Sequence, residues 1–332
     1  MDNRDITCTI FINNIQIAII MDIELANDID IANKKISIIG YGISGIGAAH
    51  LALHLGAKVF ISEKNTINKS DELIKKVSFE EGNHTSKCYD CDFAIVSPGI
   101  DTNNSFFENF KKKSIPIISE IEFASWFSKS TIIGITGSNG KSTTVSLLYN
   151  ILVKKYKKAY LGGNIGTPFS LNVLKEITNN IKNPIHILEL SSFQLENIYH
   201  FKPDIASILN LSNDHLDRYP SIEDYYNAKK NILKNMDKKC YFIYNLNNKN
   251  LYKKKIFTRT NSIGFSINDE KTNYYLKNNF IIDKKTKQQI LDCTKIELIG
   301  THNIENILVV IEISKILGIN NADIEQSICN FH

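Results

Sequence analysis

Residues 131–143, TIIGITGSNGKST, decide how this chain is read. The apolar run TIIGIT predicts a buried strand, and residues 140–156, GKSTTVSLLYNILVKKY, predict a long helix directly after a glycine turn. A phosphate loop needs consecutive backbone N–H groups wrapped around the anion, a lysine to neutralise the β/γ oxygens, and a hydroxyl for Mg²⁺. Gly137, Ser138, Asn139, Gly140, Lys141, Ser142 and Thr143 supply all three. The spacing departs from the common form, since Gly134 and Gly140 have five residues between them.

Outward from this loop the chain alternates strands and helices. Upstream, residues 34–40 (KKISIIG) read as a strand, 43–56 as a helix with small residues on its packing face, and 58–63 (KVFISE) as a second strand. Residues 91–100 (CDFAIVSPGI) form a strand ending in a Pro-Gly turn, and 114–127 a strand followed by a helix. Downstream, residues 158–166 (KAYLGGNIG), 186–192 (HILELSS), 204–212 (DIASILNLS) and 238–248 (KKCYFIYNLNN) carry strands. Residues 221–236 are helical, with Ser221 and Asp224 as a capping box variant, and a last helix closes at Gly318. The expected fold class is therefore α/β, with two successive parallel-sheet domains. Residues 1–34 form an unassigned extension, 35–125 a Rossmann-like domain and 126–332 a phosphate-loop ATPase domain.

Composition narrows the function classes. The 332 residues are 43% hydrophobic and 22% charged, which excludes general disorder, and 16 Gly, 6 Pro and 6 Cys exclude a collagenous or disulfide scaffold. The net charge of +4 reflects lysines scattered between acids, so no nucleic acid is expected as a partner. Residues 8–21 are broken by Asn13, Asn14 and Gln16, short of the ~18 apolar residues of a spanning helix. Asp2, Arg4 and Asp5 do not make a signal-peptide start, so a soluble cytoplasmic protein with no membrane partner is expected. Cys88 and Cys91 form a lone CxxC, which reads as two ordinary thiols rather than a zinc site.

Further polar groups stand at strand ends, where open α/β sheets bind ligands. Gly40, Gly42 and Gly45 follow the first strand as a GxGxxG turn, and Glu63 ends the next strand. Glu189 ends the strand IHIL, and residues 210–219 (NLSNDHLDRY) offer His215 among several acids, with Lys229 on the helix beyond. Carboxylate, imidazole and hydroxyl are sensible ligands for a Mg²⁺ that accompanies nucleotide phosphates.

GITGSNGKST, GGNIG, ELSSFQLE, NLSNDHLDRY with a following lysine, and GTHNIEN together resemble the Mur ligases of peptidoglycan synthesis. ELSSFQLE with DHLDRY is most similar to the branch that adds D-glutamate to UDP-N-acetylmuramoyl-L-alanine. The resemblance, which runs from about Lys35 to His332, implies an ATP-dependent carbon–nitrogen ligase acting through an acyl phosphate. It implies that residues 137–143 hold ATP phosphates, with Asn303 and Asn306 on the adenine side. Ser142, Glu189, His215 and Lys229 would hold two Mg²⁺ ions, Lys229 as a carbamate formed with CO₂. Lys141, Lys229 and His215 would carry the catalysis. Gly42, Ile43, Ser44, Glu63, Ser97, Pro98, Gly99 and Asn164 would bind the UDP-muramoyl substrate. The partners implied are ATP, UDP-N-acetylmuramoyl-L-alanine and D-glutamate, on a monomer.

An NAD-linked oxidoreductase resting on Gly40, Gly42 and Gly45 leaves the other motifs unexplained. Other Mur ligases, and a binding protein without turnover, are the nearer alternatives. Family members continue past the segment matching residues 329–332 with a third domain that holds D-glutamate and covers ATP. Residues 1–332 are accordingly expected to bind the UDP substrate, to bind ATP weakly and not to ligate.

Overall fold

The computed structural model describes residues 29–212, 218–251, 258–298 and 300–331. The chain forms two compact units. The first takes the described residues up to Ser128 together with Pro168–Asn179 and Glu196–Phe201.

The first unit is built on five parallel strands: β1 (Lys35–Ile39), β2 (Lys58–Glu63), β3 (Ser78–Glu81), β4 (Phe93–Val96) and β5 (Ile117–Ser119). Their order is β3-β2-β1-β4-β5, so the direction of winding switches between β1 and β4. Such a switch point is where open α/β sheets bind ligands. Helix α1 (Ile43–His54) buries Gly45, Gly47, Ala48, Ala49 and Ala52, the small face expected of it. Helix α2 (Ser105–Lys112) sends Phe107 and Phe110 into a cluster with Ile39, Val96, Ile115 and Ile117.

Helix α3 (Glu120–Ser125) follows β5, and helix α5 (Phe169–Thr178) also packs in this unit although it lies within residues 126–332. Two buried carboxylates fasten the returning segments. Glu122 accepts the backbone N–H groups of Tyr199 (2.9 Å), His200 (2.8 Å) and Phe201 (2.8 Å), and Trp126 Nε1 (2.9 Å). Alanine at 122 would remove the acceptor of three part-buried or buried amides, so Glu122→Ala should cost on the order of 3–5 kcal/mol in urea unfolding. A loss within about 0.5 kcal/mol of zero would show that the segment is held some other way.

Glu120 is the second carboxylate. It accepts the Ser170 N–H, and burial, outweighing the Ser170 backbone and hydroxyl, raises its carboxyl to about 7. Above its ordinary value of 4.5 the unfolded chain has released this proton while the folded chain still holds it. Stability from this group is therefore full below pH 4.5, falls as pH rises to about 7, and is level beyond. Glu120→Gln should remove that fall, a difference on the order of 3 kcal/mol by pH 8. Parallel pH–stability curves for variant and wild type would refute it.

The second unit has six parallel strands in the order β11-β10-β9-β6-β8-β7. They are β6 (Thr131–Thr136), β7 (Ala159–Gly163), β8 (Ile185–Glu189), β9 (Ile205–Ile208), β10 (Tyr241–Asn245) and β11 (Asn261–Phe265). Helix α4 (Lys141–Lys155) follows β6, and helix α6 (Ile222–Lys230) is capped by Ser221, whose Oγ accepts the Asp224 N–H at 3.2 Å. Helices α7 (Thr301–Ile316) and α8 (Asn321–Cys329) pack with α4. The core joins Ile133, Ile135, Leu148, Ile187 and Ile205 to Val309, Val310 and Ile324. An antiparallel sheet, β12 (Tyr274–Lys277), β13 (Phe280–Asp283) and β14 (Gln289–Asp292), packs on α7 and α8.

Candidate active site

The turn after β6 is shaped by backbone conformation. Gly140 has φ +85°, a region that costs an L-residue, and a Cβ there would stand 2.5 Å from Asn306 Oδ1. Asn306 on α7 is buried against the loop, and its Nδ2 points to Asn303 Oδ1 at 3.4 Å. Asn139 N donates to Asn210 Oδ1 (2.9 Å), while Asn210 Nδ2 donates to the Asn139 carbonyl (3.0 Å). Ser138 Oγ lies 3.2 Å from Tyr225 Oη and accepts the Ser212 N–H at 3.0 Å. The loop is thus braced by the end of β9 and by α6 before any anion arrives. Ser142 and Thr143 stand in the first turn of α4, whose N-terminus favours negative charge.

Lysines crowd this turn. Lys141 Nζ donates to the carbonyls of Gly137 (2.8 Å) and Ser138 (2.9 Å). Lys229 Nζ, buried on α6, donates to the same Gly137 carbonyl at 3.0 Å and lies 4.7 Å from the centre of the Tyr225 ring. Two amine-bearing side chains thus meet at one carbonyl oxygen. Glu189, at the end of β8, accepts Ser142 Oγ on one oxygen (2.7 Å) and Asn164 Nδ2 on the other (2.8 Å). A serine hydroxyl and a carboxylate are hard oxygen donors of the kind Mg²⁺ takes alongside phosphates and water, so these residues fit that ion. Among the described residues no group of three or more His, Cys, Asp or Glu is placed to hold a metal ion. His215, with residues 213–217, lies outside the described residues.

In the first unit the glycine turn, Glu63 and the Ser-Pro-Gly turn come together at the β1/β4 switch. Ser97 Oγ donates to the Gly40 carbonyl at 3.2 Å, with Pro98 and Gly99 following. A Cβ on Gly45 would collide with the Gly40 carbonyl oxygen, so only glycine lets α1 start this close to β1. Gly42 caps α1 and Ile43 is 72% exposed at its first position, beside half-buried Ser44. Glu63 accepts Tyr41 N (2.6 Å), Asn65 N (2.8 Å) and Asn65 Nδ2 (3.1 Å). Burial pushes Glu63 up, but the N–H groups of Tyr41, Asn65 and Lys64 outweigh it and hold the carboxyl below its ordinary range. Tyr41 Oη donates to Asp71 Oδ2 at 2.6 Å; that bond, with the Leu73 N–H, holds Asp71 low.

Several of these partners are missing from the residues singled out by sequence. Asn210 is the first polar residue after the apolar strand of β9, and Tyr225 precedes Lys229 by one helical turn. Asn210 opens the strand-end stretch 210–219 already read from the sequence, and helical spacing could have found Tyr225. Asp71 carries no such signal. Cys88 is buried, donates to Glu80 Oε1 at 3.2 Å, and burial pushes its thiol up to about 12.

Residues 135–314 match the Mur ligase middle domain, and residues 35–106 match the MurD N-terminal domain. UDP-N-acetylmuramoylalanine--D-glutamate ligase of Christiangramia forsetii is 38% identical over 307 residues, covering 90% of this chain and 68% of that protein. The protein of that name from Lactobacillus johnsonii is 35% identical over 312 residues, covering 90% and 67%. In fold, the UDP-N-acetylmuramate:L-alanyl-gamma-D-glutamyl-meso-diaminopimelate ligase of Neisseria meningitides superposes with TM-score 0.62 at 17% identity, over 91% of this chain and 99% of that one. The resemblance read from the motifs thus holds across both units, and with relatives above 30% identity over two thirds of their length, the chain belongs to the Mur ligase family.

Proposed function

We propose that the chain supplies the ATP and UDP-substrate sites of a ligase that joins D-glutamate to UDP-N-acetylmuramoyl-L-alanine at the expense of ATP, in cytoplasmic peptidoglycan synthesis. It is an ATP-dependent ligase of the Mur type. The specific acceptor rests on the names of its relatives and on the MurD N-terminal match. The observation that carries the reaction class is the convergence of Lys141 and Lys229 on the Gly137 carbonyl, together with a Glu189 bonded to Ser142 and Asn164. No helix among the described residues is long and apolar enough to cross a membrane, which fits soluble substrates.

A carboxylate is a poor acyl donor, so the alanyl carboxylate must first take the γ-phosphoryl group of ATP. The difficulty is bringing two anions together. Backbone N–H groups of residues 137–143 wrap the phosphates, and Lys141 leaves the loop carbonyls to neutralise the transferring group. Ser142 and Glu189 would hold Mg²⁺, with His215 and Lys229 as further ligands; bound there, the ion screens the charge shared between donor and acceptor. Asn303 and Asn306 flank the loop on the nucleoside side. Asn164 anchors the muramoyl substrate, while Gly42, Ile43, Ser44, Glu63 and Ser97 to Gly99 receive its uridine diphosphate in the first unit. The D-glutamate amine then attacks the acyl phosphate, and phosphate leaves.

Lys229 is read as a carbamate. A neutral lysine amine beside a second cation can add CO₂ and lose a proton, turning a repulsive neighbour into an anion. Hydroxylamine trapping tests the reaction class. With Mg-ATP and UDP-N-acetylmuramoyl-L-alanine, the chain should give the muramoyl-alanyl hydroxamate without D-glutamate. Bound UDP-sugar with no hydroxamate at saturating ATP would overturn the reading.

A further inference from the structure

Behind the glycine turn of the first unit lies a polar cluster with no part in the reaction described above. Ser62, the penultimate residue of β2, is fully buried, and its Oγ lies 2.7 Å from Glu80 Oε1 and 2.7 Å from His84 Nδ1. Glu80 also accepts Thr85 N (2.8 Å), Thr85 Oγ1 (2.6 Å) and the Cys88 thiol (3.2 Å). Burial raises the Glu80 carboxyl, but these donors outweigh it and keep it below its ordinary range, so it is ionised and can only accept. Ser62 has one hydroxyl proton, and Glu80 takes it. The contact with His84 then needs a proton from the ring, so His84 carries hydrogen on Nδ1 and donates to Ser62 Oγ. The His84 ring is held in turn by stacking on Phe106, with centroids 5.2 Å apart and planes at 29°.

Ser62 is where the glycine turn hangs. Its carbonyl accepts the Gly40 N–H at 2.8 Å, and the next side chain, Glu63, accepts the Tyr41 N–H at 2.6 Å. The Glu63 carbonyl accepts the Gly82 N–H at 3.0 Å, which ties the same two residues to the segment leading into His84. We propose that His84 is a positioning residue of the uridine diphosphate site, acting through Ser62 to hold the strand end that carries the Gly40–Gly45 turn. The ligand part of this proposal rests on the assignment of that turn to the nucleotide.

Asparagine tests it well, because its Nδ2 amide can replace the ring Nδ1–H while the ring is lost. In calorimetric titrations of the whole chain, His84→Ala should weaken UDP binding about tenfold, the effect of one to two hydrogen bonds. His84→Asn should stay within about twofold of wild type, and both variants should bind Mg-ATP unchanged. Amide hydrogen exchange at Gly40 and Tyr41 should accelerate in His84→Ala and return in His84→Asn. Unchanged exchange at both amides in His84→Ala, or a His84→Asn as impaired as His84→Ala, overturns the proposal whatever the ligand. UDP affinity untouched by His84→Ala but lost in Glu63→Gln overturns it and leaves the nucleotide site standing. UDP affinity untouched in all three variants overturns both.

Discussion

Lys141→Ala should lower phosphoryl transfer to the muramoyl-alanyl carboxylate by about 10²–10³-fold, the cost of removing one preorganised charge partner from a developing anion. Lys141 Nζ sits 2.8 Å from the Gly137 carbonyl and 2.9 Å from that of Ser138, contacts that ATP would replace with phosphate oxygens. The loop itself should survive. Its bracing runs through Asn210 to Asn139 and through Ser212 to Ser138, none of which involves the lysine. The loss should therefore appear in the rate of hydroxamate formation and in Mg-ATP affinity, with UDP affinity unchanged. Lys141→Arg should recover little, because a planar fork does not replace a compact point charge in a close turn. Equal ATP affinity and equal trapping rate in Lys141→Ala would remove the loop's assigned role.

Lys229→Ala should be comparably damaging, by about 10²-fold or more, and for a different reason. Lys229 is buried, against the Tyr225 ring and the Gly137 carbonyl. As the proposed carbamate it would supply an anion beside the phosphate loop. Alanine leaves a space that a small carboxylate can enter, so acetate or formate should restore part of the activity. Lys229→Arg, always charged and unable to add CO₂, should be inactive and unresponsive to them. Labelled bicarbonate should give a carbamate signal in wild type that both variants lack. An active Lys229→Ala, or a Lys229→Arg at wild-type rate, would defeat the carbamate.

The parts of the fold legible in sequence are those governed by local physics. Apolar runs such as residues 36–39, 132–135 and 205–208 became central strands because nothing but burial on both faces suits them. The helix after Lys141, the Ser221 cap and the stop at Gly318, with φ +74°, follow from residues within a turn of each other. Short, polar-interrupted elements were not legible. β3 reads SFEE, and β12 to β14 lie among Asn, Lys and Thr, where alternation is too brief to see.

The same division runs through the candidate site. The sequence by itself determined the phosphate loop, because strand, turn glycines, lysine and hydroxyl are contiguous and their chemistry is fixed by spacing. It also marked Glu189 and Glu63, because a polar residue ending an apolar strand has to face the sheet's C-terminal edge. Only the tertiary structure decided what those groups meet. Lys229 reaches the Gly137 carbonyl across 92 positions, and Ser142 reaches Glu189 across 47, because the parallel crossovers place β6 between β8 and β9. Glu122 looks like a surface acid of a short amphipathic helix until residues 199–201 return to bury it. Ser62 and His84 carry no motif, and only the pairing of β2 with β3 brings them into contact. Periodicity records which face of an element is buried, whereas a hydrogen bond between distant side chains depends on strand order and register, and those are settled when the sheets close.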